Sequence, residues 1–304
     1  MDGLETDLRD SAATRRAGKN LMARRRIAEQ PASRLAIWAR RLAVFSLPVV
    51  MLAIIIARAG LLEIEPVLAT FAAALAMAVI AILMALVALG AVWRHGIEGL
   101  GAATTAILIG IALLAYPAYL GSKALRLPAI ADITTDPIDP PRFETVGRLR
   151  SREANPIVYA GLYAAELQKT AYPDIVPLET TTNAQTAYDA ARAVITKRRW
   201  QVINERPPQP GRRDGYIEAV ARTPIMGFRD DVAVRIRAVG QGARVDVRSA
   251  SRYGRHDFGT NAARVRVLLD DIDDIANVEK PEKAVRPVQK TNPPANKANQ
   301  PAKR

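Results

Sequence analysis

MGFRDDVAVRIRAVGQGARVDVRSASRYGRHDFGTNAARVRV, residues 226–267, decides the fold of the C-terminal half of the chain. Apolar and polar residues alternate with period 2 on either side of a turn that contains Gly240 and Gly242, which reads as two paired strands. Val232, Val234 and Ile236, with Val245 and Val247, form the core-facing set. Arg235, Arg237, Asp246 and Arg248 then point outward, with Glu218 as a cross-strand partner, and are expected to make a salt-bridged solvent face. An Arg/Ser/His/Asp-rich loop follows and feeds a helix over 260–276, whose buried side carries Val265, Leu268, Leu269, Ile272 and Ile275.

Working backward, GYIEAVART and WQVINER supply two more strands, separated by the turn sequence PPQPG. Ahead of them Thr182 and Gln185 have the spacing of a reciprocal cap, opening a helix with Ala184, Ala187, Tyr188, Ala191, Val194 and Ile195 on one face. Helix, four strands, helix is the order of an α+β layer with both helices on one face of an antiparallel sheet.

The rest of the chain is of a different kind. Three uncharged apolar runs, 42–57, 66–93 and 99–122, follow one another, and a succession of three with no amphipathic face reads as membrane spans rather than core helices. Ala102, Ala106 and Gly110 recur every four residues and would let the third helix pack closely on Ala74 and Ala78 of the second. About forty polar residues precede the first run, which argues against a cleaved signal peptide; a start at Met22 instead of Met1 would shorten that tail. Residues 1–41 hold ten Arg and Lys against five Asp and Glu. By the positive-inside rule that end is expected in the cytoplasm, and three spans then place the C-terminal domain in the periplasm of an inner-membrane protein.

Composition closes off several function classes. The chain of 304 residues has no Cys and two His, His95 and His256, so thiolate ligation and a His-based zinc site are not available and no cofactor is expected. Its net charge of +13 is concentrated in two tails: 1–41 contributes +5, and 279–304, with seven Arg and Lys against two Glu, contributes another +5. That division argues against a nucleic-acid surface. The tail 279–304 is rich in Pro, Asn and Lys and is expected to be disordered. Residues 123–158, broken by Pro128, Pro137, Pro140 and Pro141, are expected as an extended, solvated connector. Asp132, Asp136 and Asp139 recur in it without the spacing of a calcium loop.

ITTDPIDPPRF (133–143), AYPDI (171–175), the strand at Trp200, IEAVARTPIMGFRDDVAVRI (217–236) and DVRSASRYGRHDFGTNAARV (246–265) together resemble the bacterial domain-of-unknown-function family numbered 1499. The resemblance rests on Gly-Phe-x-Asp-Asp-Val and on Arg-Ser-x-Ser-Arg-x-Gly-x-x-Asp-x-Gly-x-Asn-x-x-Arg. It implies a family without an established activity, substrate or cofactor.

The signature residues Asp230, Asp231, Arg248, Ser249, Ser251, Arg252, His256, Asp257, Asn261 and Arg264 form the one dense polar cluster, at a common end of the two paired strands. A mutually satisfied Asp/Arg network that pins the loop to the helix start, with Asp257 or Thr260 as cap, is the structural reading. Three functional readings stand beside it. Arg248, Arg252 and Arg264 near a helix N-terminus could bind an anion or a lipid headgroup. Ser251 or Ser249 with His256 and Asp257 could form a hydrolase constellation, although no nucleophile elbow is present. Alternatively, the domain binds another envelope protein, and the cluster only shapes its surface.

The expected architecture is therefore a basic cytoplasmic tail (1–41), three membrane helices (42–122), a Pro-rich linker (123–158), a small α+β domain with about four antiparallel strands under two helices (159–278) and a basic tail (279–304). Its partners would be membrane lipid and another envelope protein or an anionic ligand, with binding or scaffolding favoured over catalysis.

Overall fold

A computed structural model describes residues 32–278 apart from 210 and 212, so the two basic tails fall outside the described residues, except for the last ten positions of the first. The chain divides after Gly121 into two compact units.

The first unit contains three helices, α1 (Arg34–Ala59), α2 (Ile64–His95) and α3 (Leu100–Ala124). All three are long and apolar enough to cross a membrane. Ser33 caps α1 by accepting a hydrogen bond from the backbone N–H of Ala36 at 3.3 Å, so the helix starts eight residues before the apolar run and includes Arg40 and Arg41. Left-handed glycines, Gly60 and Gly96, end α1 and α2. The buried seam is almost wholly alanine: Ala36, Ala39 and Ala43 from α1, Ala81, Ala85 and Ala88 from α2, Ala103 and Ala106 from α3. A Cβ at Gly110 would fall 2.5 Å from the Ile82 side chain, so α3 approaches α2 as closely as the small-residue repeat requires.

The second unit is α+β. Its antiparallel sheet runs β1 (Asp132–Thr134), β6 (Gly242–Ser251), β5 (Arg229–Val239), β4 (Gly215–Arg222), β3 (Gln201–Arg206), with β2 (Leu178–Thr180) also paired to β6. The four long strands are those read from the alternation; β1 and β2 are short additions on the free edge of β6. Gly240 takes φ +58 in the two-residue turn between β5 and β6, where a side chain would be strained. Gly242 is required for another reason, since a Cβ there would lie 2.2 Å from the Thr180 carbonyl oxygen of β2.

Helices α5 (Ala184–Lys197) and α6 (Thr260–Val278) cover one sheet face. Ile195 and Val194 from α5 and Leu268 and Ile272 from α6 meet Ile217, Val232, Val234, Ile236, Val245 and Val247 in a fully buried core. The cap of α5 is Asn183 rather than Thr182: its Oδ1 accepts from Thr186 N at 2.9 Å, while the Gln185 side chain turns forward to Asp189. Asn is the stronger N-cap of the two and displaces the expected Thr/Gln pair.

Residues 123–158 are not a solvated connector. They contribute β1, a short 3-10 turn at Val146–Leu149 and a strap across the second sheet face, where Phe143 and Val146 bury Tyr216, Val220, Ala233 and Ala250. Helix α4 (Gly161–Ala171) follows the strap. Its Gln168 brackets Thr134, accepting from its N–H at 3.0 Å and donating to its carbonyl at 2.6 Å.

Candidate functional site

Period 2 divides the polar cluster before any tertiary contact does. Asp230 and Asp231 are consecutive in one strand and therefore leave the sheet on opposite faces, and the same holds for Ser249 and Ser251 against Arg248 and Arg252. Pairing of Asp230 with Ser251 and of Asp231 with Ala250 assembles each set separately. The signature residues thus separate into two sets with the sheet between them, His256 standing apart from both.

On the helix face, Arg264 reaches back from the first turn of α6 to Asp230 at 2.5 Å, and also donates to Ser249 Oγ at 2.9 Å and Asn261 Oδ1 at 2.5 Å. Asn261 donates through Nδ2 to Ser251 Oγ at 2.9 Å and to the Ala131 carbonyl at 3.0 Å. Asp257 caps α6: its carboxylate accepts from Gly259 N at 3.0 Å and Asn261 N at 2.7 Å. Burial pushes the carboxyl groups of Asp230 and Asp257 above the ordinary Asp value, outweighing Arg264 in the first case and the two amides in the second.

His256 lies at the edge of this cluster and takes no part in it. Its Nδ1 accepts from Phe258 N at 2.9 Å, which leaves the proton on Nε2 to donate to the Leu127 carbonyl at 3.1 Å, and the ring stacks on Phe258. Ser251 is bonded to Asn261 and Asp230, and Asp257 is spent on the cap. Ser251, His256 and Asp257 therefore adjoin in sequence without the serine–imidazole–carboxylate relay that nucleophilic hydrolysis uses.

On the strap face, Asp231 is fully buried between two guanidiniums: Arg252 donates at 2.8 and 2.9 Å, and Arg150, from the strap, at 2.7 Å. Arg248 does not meet Asp230 or Asp231. It makes a bidentate pair with Asp132 at 2.7 and 3.0 Å, donates to the carbonyls of Pro141 and Ile157, and lies 4.5 Å over the Phe143 ring. The Tyr159 hydroxyl beside it is pushed up to about 12, by burial first and by Asp132 second.

The set expected to face solvent is covered by the same strap. Asp246 is fully buried and accepts from Arg235, Arg237 and Arg244 at 2.8–3.1 Å, and these arginines also pair with Asp136 and Asp139 of the strap. Glu218 takes no arginine. Its carboxylate instead accepts from the backbone N–H groups of Glu144, Thr145 and Val146 at 2.5–2.9 Å, holding the entry of the 3-10 turn. The residues missed in the sequence are therefore Asp132, Asp136, Asp139, Arg150 and Gln168. Three recurring Asp opposite an Arg-rich strand face were the available signal.

Two open concavities lie elsewhere among the described residues. One of about 810 Å3 sits at the turn end of the β5–β6 hairpin, lined by Asn183, Gln185, Gln209, Arg213 and Gln241. It is at the opposite end of the hairpin from Asp230 and Ser251. A second, of about 570 Å3, lies between Leu125–Pro128 and α4.

Residues 132–272 match the family described as Protein of unknown function (DUF1499), so the resemblance holds over the α+β unit, including β1 and the strap. No curated protein matches the chain.

Proposed function

We propose, from the match to a family of unknown function that follows three candidate membrane spans, that the protein is a membrane-anchored component of the cell envelope. Its α+β unit stands on the extracytoplasmic side and works by binding or scaffolding, with another envelope protein as partner. The observation that carries this reading is the closure of the polar cluster. Arg248, Arg252 and Arg264 are each held by a carboxylate of the same chain, at 2.7, 2.8 and 2.5 Å, which tells against the anion or lipid-headgroup site at that cluster. The bonding of Ser251, His256 and Asp257 to other groups tells against the hydrolase reading in the same way.

The orientation draws support from charge placement. Arg34, Arg40 and Arg41 lie near the start of α1 and Arg94 at the end of α2, on one side of the spans, against Arg58 alone in the last turn of α1. A reporter active only outside the cytoplasm is expected to be active when fused after Glu282 and silent after His95; the reverse pattern overturns the placement. Inorganic phosphate is expected to leave the melting temperature of the full chain unchanged. A rise that follows phosphate concentration would reinstate the anion site.

A further inference from the structure

We infer that the N-terminal turn of α4, together with the chain leaving α3, is a lipid-contacting surface seated in the headgroup layer of the bilayer, an inference that rests on the reading of α1–α3 as membrane spans. Leu125 is 90 % exposed, Leu162 87 % and Tyr163 77 %, and what distinguishes them from other exposed apolar residues of the unit, such as Ile138 and Val158, is that they border a common groove or adjoin it in sequence. They are not scattered. Leu125, Leu127 and Pro128 line one side of the 570 Å3 concavity, and Tyr163 and Leu167 of α4 line the other.

Chain continuity supplies the occupant. Helix α3 has 25 residues, which at 1.5 Å per residue is about 37 Å, longer than the ~30 Å hydrocarbon core but shorter than the ~40–45 Å bilayer with its headgroups. Its end at Ala124 therefore falls within the headgroup layer, and Leu125 is the next residue. Tyr116 and Tyr119, both exposed on the last turns of α3, are of the aromatic type that prefers this level. A groove whose one wall is Leu125–Pro128 starts at the lipid surface, and α4 forms its other wall. Lipid is thus the apolar phase within reach of Leu162 and Tyr163. Arg126, also on the groove, is suited to lipid phosphate, with Glu166 as the acidic residue beside it.

The absence of cysteine makes the test direct, because a single introduced thiol takes a single nitroxide label. The full chain is reconstituted into vesicles of phosphatidylcholine and phosphatidylglycerol as the variants Leu162→Cys, Tyr163→Cys, Leu83→Cys and Ile138→Cys. Collision of each label with oxygen, which concentrates in lipid, is compared with collision with a water-soluble nickel chelate. Leu83, in the middle of α2, reports the span, and Ile138, on the strap and 96 % exposed, reports water. The labels at Leu162 and Tyr163 are expected to collide severalfold less with nickel than the label at Ile138, and to favour oxygen as the Leu83 label does. Nickel collision equal to that at Ile138, with Leu83 still in lipid, overturns the inference and leaves the spans standing. Low collision with both reagents also overturns it, by showing a protein partner or a second copy on this surface. A water-accessible Leu83 would remove the span reading itself.

Discussion

The two faces of the α+β sheet are closed by opposite means. On one, α5 and α6 satisfy their own backbone and contribute aliphatic side chains, so Val232, Val234 and Ile236 need only be apolar. On the other, the cover is a largely irregular strap whose backbone groups have few partners of their own. Buried peptide groups must be paired, and here charged and amide side chains of the sheet and of the strap itself do it. Glu218 takes the amides of residues 144–146, Arg248 the carbonyls of Pro141 and Ile157, Arg150 those of Asn155 and Pro156, and Asn155 those of Ser251 and Gly254. The comparison teaches that a charged sheet face need not be a solvent face or a ligand site. It can be the means of binding a segment with no regular structure.

If that is right, the largest effect falls on the strap face. Asp231→Ala leaves Arg252 and Arg150 buried without their carboxylate, with side-chain exposures of 5 % and 4 %. Such a broken pair costs about 3–5 kcal/mol. Denaturation of the full chain in detergent, followed by hydrogen exchange in β5 and β6, is expected to show that loss, and a variant of unchanged stability would break the comparison outright.

Glu218→Gln is the intermediate case. The amide keeps one oxygen for the strap but sets an NH2 group against N–H donors, a cost of about 1.5–3 kcal/mol by the loss of bonds to a charged acceptor. Faster exchange is expected at Glu144, Thr145 and Val146 before any change in the helix-face core. If the whole domain loosened together, the strap would not be a separately held layer.

The smallest effect belongs to Asp257→Asn on the helix face, since Asn caps a helix about as well as Asp. Burial raises Asp257 above its unfolded value of 3.8, so protonation favours the folded state. The stabilising contribution is complete below pH 3.8 and is lost as the pH rises through the raised value. Asp257→Asn is therefore expected to flatten the stability profile from pH 3.8 upward through the raised value, and to leave stability above that window equal or slightly higher. A variant with a steeper profile would show that the carboxylate is stabilised by charge here, as on the strap face.

Much of this was legible from residues alone. The alternation in 229–251, the apolar face of α5 and the three uncharged runs each repeat within a few residues, and local periodicity survives whatever tertiary contacts are made. The same alternation contained the division of the polar cluster, since Asp230 and Asp231 cannot share a face, but the density of Arg, Ser and Asp suggested one site instead of two. His256 and Ser251 were candidates for catalysis by type; their bonds to Leu127, Phe258 and Asn261 come from segments far away or from loop geometry that type does not reveal.

Sequence by itself determined the three apolar helices, the four long strands and the two covering helices, because each depends on spacing along the chain; the choice of Asp257 over Thr260 as the cap of α6 came from the structure. Tertiary structure alone decided that Asp132, Asp136 and Asp139 belong to Arg248, Arg244 and Arg235, partners 96 to 116 residues away. An ion pair has no period and no direction along the sequence. Its partner is chosen only when the chain, bent by its prolines, is laid across the sheet and must satisfy what it buries.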